Sequence, residues 1–421
     1  MRPYTLLPLP ASLPLLGLLW TPVAGAATPR LDHAAAPTRQ AITLRLDPDQ
    51  QSYSGAVHIE VRVTSERPEL RLHGAMPIDR LRLRGPAGEV PATHQQVGQE
   101  LRVRGPAKLA PGAYSLDIDF HQPFGQKAVG LYRVVKDGQG YAFTQFEAAD
   151  ARLAFPCWDE PDFKIPYQLT VEIPKSLEAV SNTPIASQRE DGAKKTLVFQ
   201  ETRPLPSYLL ALAVGPLEFA PIPGLSIPGR VVTPRGQRHL ATRAVENTPA
   251  ILRALESYFG GRYPYEKLDL IAVPEYWPGA MENPGAITFR ENILLYDPKA
   301  ETPGQRQTLV AITAHELAHM WFGDLVTMRW WDDLWLNESF ADWMGEKIAA
   351  QLLPQHQIPV EVAQDAQRIM ISDARPATQA IRQRVDEPED SMRRVMVAYQ
   401  KGNAVLTMFE RWLGQERFRA G

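Results

Sequence analysis

The chain has 421 residues, more than one hydrophobic core usually organises, so two folded domains are expected. Hydrophobic residues make up 44% and charged residues 22%, and a formal net charge of -3 excludes a global field that would draw the protein to nucleic acid or to an anionic membrane. A single cysteine, Cys157, excludes an intramolecular disulfide, and 38 prolines and 28 glycines scattered among periodic segments imply many turns rather than one disordered tract.

The amino terminus has the make-up of an export signal. Arg2 supplies a positive start, Leu6 to Trp20 is mostly apolar, and Ala24-Gly25-Ala26 offers small residues for cleavage. Residues 1–26 are therefore expected to be removed, leaving a mature protein that is periplasmic or extracellular. Pro8, Pro10 and Pro14 interrupt an apolar run shorter than the ~20 residues that span a bilayer, so no stable membrane anchor is expected.

Over residues 38–220 the dominant period is two. Val57, Ile59, Val61 and Val63 alternate with His58, Glu60, Arg62 and Thr64, the pattern of a half-buried strand, with His58 on the solvated face. Tyr114, Leu116, Ile118 and Phe120 repeat it, as do Tyr167, Leu169, Val171 and Ile173. Turn pairs such as Pro111-Gly112 and Asp137-Gly138 fall between these runs, so this half reads as a mostly antiparallel β-sandwich or saddle. Cys157, between Pro156 and Trp158, reads as a small buried residue rather than a nucleophile.

A segment rich in proline and glycine, Pro221 to Pro234, marks the expected domain boundary, with the second domain spanning 221–421. Beyond it the period turns helical. Ala250 to Phe259 reads as a helix stopped by Gly260-Gly261, and Leu268 to Val273 as a strand. The next helix is expected to open with Thr302 as N-cap and Pro303 at its first position, and to end by Gly323. A last helix is expected over Val405 to Phe418, with Leu406, Phe409 and Leu413 on its apolar side.

The helix after Thr302 carries His315-Glu316-Leu317-Ala318-His319. Histidines four apart lie about 40° from each other around a helix, so both imidazoles can converge on one cation, while Glu316 stands just beside that face, able to reach a water without being a ligand. Glu338, in Asn337-Glu338-Ser339-Phe340, follows His319 with 18 residues between them, room for a turn and a returning helix that brings a third ligand. Three protein ligands and an open fourth position are the arrangement of a catalytic zinc site, one ion being expected. Asn337 and Asp342 flank Glu338 and are candidates to accept a hydrogen bond from a ligand histidine.

These motifs, preceded by Gly279-Ala280-Met281-Glu282-Asn283 and by Thr144-Gln145-Phe146-Glu147-Ala148, resemble the aminopeptidase N family of zinc metallopeptidases; so does Phe155-Pro156-Cys157-Trp158-Asp159-Glu160-Pro161. The resemblance covers nearly all of the mature chain. It implies an α+β multidomain protein, with a saddle-like β domain followed by a thermolysin-like α/β catalytic domain, and a substrate that is a peptide with a free N-terminus. It further implies that Glu282 and Glu147 bind the α-amino group. Two carboxylates facing one ammonium make charge-assisted hydrogen bonds and leave no room for chain upstream. Gln145 is implied at the pocket for the first side chain. Gly279 and Ala280 are implied as backbone partners for the substrate, and Met281 and Asn283 as members of the same binding loop. The segment Val397-Ala398-Tyr399-Gln400-Lys401-Gly402 is similar to the family stretch whose tyrosine stabilises the tetrahedral intermediate, which makes Tyr399 an oxyanion donor and Glu316 the general base. Relatives continue well past that tyrosine, whereas this chain stops 22 residues beyond Tyr399, so the catalytic domain is expected to be C-terminally incomplete. A branch of the family opens epoxides with a similar site, but its loop typically reads Gly-Gly-Met-Glu-Asn, and Ala280 favours a peptidase. The non-enzymatic alternative is an inert zinc-containing, peptide-binding fragment.

Overall fold

The computed structural model describes residues 30–421 apart from 377 and 394. The expected export segment, 1–26, lies outside the described residues. No helix among the described residues is long and apolar enough to cross a membrane.

The first half is built of strands, and its alternating residues sort as the period of two requires. In Ser52–Val63, Val57, Ile59, Val61 and Val63 are buried, while His58 faces outward and shares a 2.6 Å contact with Asp117 on the next strand. Each such aliphatic side chain contributes about 1.5–3 kcal/mol on burial, which is why the register cannot slip by one residue. That strand and its partner Gly112–Pro123 lie near the middle of an eight-stranded sheet, antiparallel except where Ala35–Arg45 runs beside Tyr167–Pro174. A four-stranded sheet packs with it and contains the hairpin of Gly130–Lys136 and Gln139–Gln145. The end of Gln139–Gln145 delivers Phe146 and Glu147 toward the second half. Cys157 is fully buried, and burial pushes its thiol well above the usual range.

The second half wraps helices around a five-stranded sheet. Gly229–Pro234, Leu268–Val273 and Ala286–Arg290 are parallel neighbours, and Leu268–Val273 is buried along its whole length, as a strand covered on both faces must be. The short strand Ala280–Met281 runs antiparallel at the sheet edge. The helices are α1 (Thr242–Phe259), α2 (Glu291–Leu294), α3 (Pro303–His319), α4 (Leu334–Leu352), α5 (Ile358–Asp373), α6 (Pro388–Arg393), α7 (Val395–Leu413) and α8 (Gln415–Ala420).

Three elements differ from the sequence expectation. The proline- and glycine-rich stretch expected at a boundary is the turn of a hairpin: Leu217–Pro221 pairs with Gly229–Pro234, with Gly224 at φ 81° between them. The change of sheet therefore falls after Leu212–Gly215, the last strand of the first half. Helix α1 starts at Thr242 and carries Pro249 inside it; the preceding side chains Asn247 and Thr248 both bond back to the carbonyls four residues earlier. The last expected helix is two, α7 and α8, broken at Gly414 with φ 85°. Leu406 packs on the core, whereas Phe409 and Leu413 are exposed. Helix α3 opens as expected, Thr302 and Gln305 closing a capping box with Pro303 at the first position. It ends at His319, and Gly323 (φ 136°) turns the chain four residues later.

The two halves share one core at their join, and the helices of the second half pack on another of their own. Ile271, Val273, Tyr276, Met281 and Trp331 of the second half cluster with Phe143, Phe146 and Tyr208 of the first.

Candidate active site

Helices α3 and α4 lie against each other, and glycine allows it: a Cβ on Gly345 would stand 2.8 Å from the Ala311 carbonyl and 3.2 Å from the His315 Cβ. This close approach brings Glu338 to the histidine pair. The His315 and His319 Nε2 atoms are 3.0 Å apart, and Glu338 Oε2 lies 3.4 Å from the first and 3.7 Å from the second. The point equidistant from three such atoms is about 2 Å from each, the bond length of zinc to imidazole or carboxylate (~2.0–2.2 Å). His319 Nδ1 lies 3.1 Å from the Phe322 carbonyl, which can only accept, so Nδ1 carries the proton and Nε2 presents a lone pair. Glu338 Oε2 is buried with no hydrogen-bond partner. Lone pairs converging on one point with an orphaned carboxylate oxygen fit a divalent cation.

Tyr399, on α7, stacks beside His315 at 5.6 Å between ring centroids and hydrogen-bonds Glu338. Glu316, 5% exposed, has an unpartnered Oε2; its carboxylate, the Glu282 carboxylate and a His319 ring nitrogen lie within 4.8 Å of one another. Glu147, Glu282 and Glu338 form a second such group. Glu147 comes from the first half and also keeps an unpartnered oxygen, Oε1. Gln145 is held by Tyr276, whose hydroxyl donates to its Oε1, and its Nε2 faces the Met281 sulfur at 3.5 Å. Gly279 and Ala280 line the cavity, with Ala280 on the edge strand.

Several side chains sit differently from expectation. Asn337 does not accept from a histidine; its Nδ2 donates to Glu282 at 3.1 Å. Asp342 accepts from Asn403 at 2.8 Å. Asn283 points away from the cavity and donates to the Leu209 carbonyl of the first half, so it fastens the Glu282 loop rather than lining it.

The electrostatics follow from burial. Burial pushes the Glu316 carboxyl well above the usual range, with His315 pulling the other way. Glu147 stands high through burial and then through Glu282, Glu338 and Glu316. Glu282 is raised by burial despite His319. Burial also works against Glu338, but the neighbouring His315 and His319 rings outweigh it and hold that carboxyl low. For His315, burial is overcome by Glu338 and Glu316, which raise it to about 9. Six carboxyls thus meet at a cavity of about 320 Å³ or its floor, these four with Asp342 and Glu346, and no lysine or arginine among the described residues lines it. Carboxyls so buried ionise only where positive charge offsets the burial, and beyond the two imidazoles that charge must come from outside the described residues.

The sequence profile of the Peptidase M1 N-terminal domain matches residues 36–209, and that of the Peptidase family M1 domain matches residues 243–421. The chain belongs to peptidase family M1. Among family M1 relatives, it is 35% identical to Aminopeptidase M1-C of Oryza sativa subsp. japonica over 407 residues, 93% of this chain and 45% of that protein. It is 35% identical to Glutamyl aminopeptidase of Bos taurus, over 89% of this chain and 41% of the relative. Probable aminopeptidase 2 of Sulfurisphaera tokodaii is 39% identical over 73% of this chain and 39% of its own length. The chain thus spans less than half the length of these relatives.

Sequence reasoning missed Tyr276, Asn403 and Glu346. Glu346 had a signal: it follows Glu338 by eight residues, on the same helical face. Tyr276 had none, because its role depends on meeting Gln145 across the two halves.

Proposed function

We propose that this chain is a zinc-dependent aminopeptidase that releases the first residue from peptides with a free N-terminus. The observation that carries the reading is the want of positive charge: buried Glu147, Glu282, Glu316 and Glu338 share one cavity and its floor with two imidazoles and, among the described residues, no lysine or arginine. His315, His319 and Glu338 would hold a zinc ion, which would supply one part of the missing charge and the Lewis acidity that polarises a carbonyl oxygen and acidifies a water. The α-ammonium of the substrate supplies the other, between Glu147 and Glu282. Asn337, bonded to Glu282, fixes that carboxylate for the purpose.

Glu316 Oε2 takes a proton from the water that adds to the first peptide carbonyl carbon, and gives it to the departing nitrogen as the C–N bond breaks. Burial raises the affinity of Glu316 for that proton, as suits a group that must both accept and return it near neutral pH. Tyr399, within reach of the site from α7, donates to the developing oxyanion. The free edge of Ala280–Met281 pairs with the substrate backbone as an added strand. Export to the periplasm or outside the cell is part of the same proposal and rests on the composition of residues 1–26.

Metal analysis coupled to hydrolysis tests the reading. Purified protein should hold one equivalent of zinc and cleave leucine anilide, should lose that activity to a chelator and regain it with zinc, and should not cleave N-acetyl-leucine anilide. Equal cleavage of free and acetylated substrates would refute the exopeptidase assignment. Turnover of an epoxide but not of the anilide would favour the other chemistry of the family.

A further inference from the structure

Helix α4 carries Glu338, Asp342 and Glu346 at intervals of four, a stripe of carboxylates that starts at the metal-binding position and runs away from the amine anchors. Glu282 and Asn337 lie toward His319, whereas Asp342 acts on His315, and Glu346 follows one turn further on. The cavity that holds Glu147 and Glu316 extends to Asp342 and Glu346, and both also line a second cavity of about 620 Å³ between α4, α5 and α7. Asn403, 4% exposed, donates from one nitrogen to Asp342 Oδ2 and Glu346 Oε2, each at 2.8 Å. It aligns the two carboxylates without neutralising either. No ion pair with Lys or Arg holds Asp342 or Glu346 among the described residues; Asp365 and Arg411, opposite in sign, line the second cavity with them. Glu316, 5% exposed, brings its unpartnered Oε2 to the first cavity, so the acidic pair opens on a groove with a polar atom still to be satisfied.

We propose that Asp342 and Glu346 form a specificity pocket for a cationic side chain, lysine or arginine, on the second residue of the peptide. The proposal rests on the aminopeptidase reading, which sets the direction of the chain: ammonium at Glu147 and Glu282, first carbonyl at the metal position, second residue toward Glu346. Eight residues of helix separate Glu338 from Glu346 by about 12 Å. The second residue's Cα already stands off the first carbonyl and the Glu346 side chain leans back toward the helix N-terminus, so an extended lysine or arginine stem closes the remaining gap and a shorter polar side chain does not. Burial and then Asp342 push Glu346 up to about 7, so at neutral pH a cation in the pocket gains a second carboxylate to pair with by displacing a proton. A peptide with glutamate at its second position meets like charge instead.

The test compares Leu-Lys-Ala, Leu-norleucine-Ala and Leu-Glu-Ala as substrates of the zinc-loaded chain, with leucine anilide alongside. The expected kcat/KM for Leu-Lys-Ala exceeds that for Leu-norleucine-Ala by tenfold or more, and Leu-Glu-Ala is the slowest. Glu346→Gln combined with Asp342→Asn should bring the Lys to norleucine ratio to within twofold of one, and Glu346→Lys should turn the preference toward Leu-Glu-Ala. Because each readout is a ratio, a partly folded variant does not distort it. A wild-type ratio near one, or one the substitutions leave alone, overturns the pocket, and leucine anilide turnover in the same assay leaves the aminopeptidase reading standing. If neither anilide nor peptide is cleaved, that reading fails by itself. The pocket is then judged by equilibrium binding of the same peptides to the zinc-loaded chain: tenfold tighter Leu-Lys-Ala supports it, and equal affinities overturn it.

Discussion

Glu316 follows His315 by one position, so the helix turns its carboxylate about 100° off the ligand line, beside the cation position rather than onto it. This separation of roles makes a clean substitution available. Glu316→Gln keeps the shape and loses the ability to take a proton, so turnover should fall by about 10²–10⁴-fold while zinc stays at one equivalent. A variant within tenfold of wild type by leucine anilide assay would mean that another group carries the proton. The spacing of His315, Glu316 and His319 was legible in the sequence because it depends only on the helical period. Glu338 was legible for a related reason, since a turn and a returning helix fit the gap before it. The bond from Asn337 was not legible: its partner Glu282 lies 55 residues earlier, on a loop whose position only the folded chain defines. Asn283 was misread for the same reason, its neighbour Glu282 facing the cavity while it faces the first half.

Helix α7 reaches the site only because residue 402 has no side chain. A Cβ there would lie 1.7 Å from Ser339 Oγ on α4, in a contact that no rotamer of a larger residue relieves without moving a helix. Tyr399 is one turn away on the same helix. Gly402→Ala should therefore lever α7 off α4 and withdraw Tyr399, costing about 1–3 kcal/mol of stability and much of the turnover, while His315, His319 and Glu338 retain zinc. Thermal unfolding, metal content and leucine anilide turnover measured on one preparation check this; unchanged Tm and rate would show that α7 tolerates the methyl group. At this scale the sequence was readable wherever a local signal decides the outcome. Thr302 and Pro303 announced the start of α3, and the unbroken apolar run of Leu268–Val273 announced a covered strand. It was misleading where tertiary pairing overrides local chemistry. Helix α1 reads only from Ala250 in the sequence although it starts at Thr242, and the prolines and glycines from Pro221 to Pro234 read as a domain boundary although Leu217–Pro221 and Gly229–Pro234 zip together there.

Across the whole molecule, Asp150 reports on the join between the halves. Burial raises its carboxyl to about 7, followed by repulsion from Asp159 and from Glu389 of α6. A carboxyl whose folded pKa lies above its unfolded value, about 3.9, binds more protons in the folded state between those two limits, so it makes stability fall as pH rises from about 4 to 7. The slope from one such group cannot exceed about 1.4 kcal/mol per pH unit. Asp150→Asn should remove that part of the slope: its Tm relative to wild type should become more favourable from pH 5 to pH 8 and level off above. A difference in Tm that does not change with pH would show that Asp150 titrates normally in the folded protein.

Under the proposed aminopeptidase activity, the same join governs what the chain can tell apart. Asn182 of the first half donates to both the Leu209 and the Pro284 carbonyls, and its own carbonyl presses so near Gly285 that a Cβ there would stand 2.2 Å away. The loop bearing Glu282 is thereby riveted to the neighbour that supplies Glu147. Hydrolysis needs only the helices, but measuring where a polypeptide begins needs a gauge with one jaw in each half. Loosening the rivets would leave a catalyst that still cuts and no longer counts from the end.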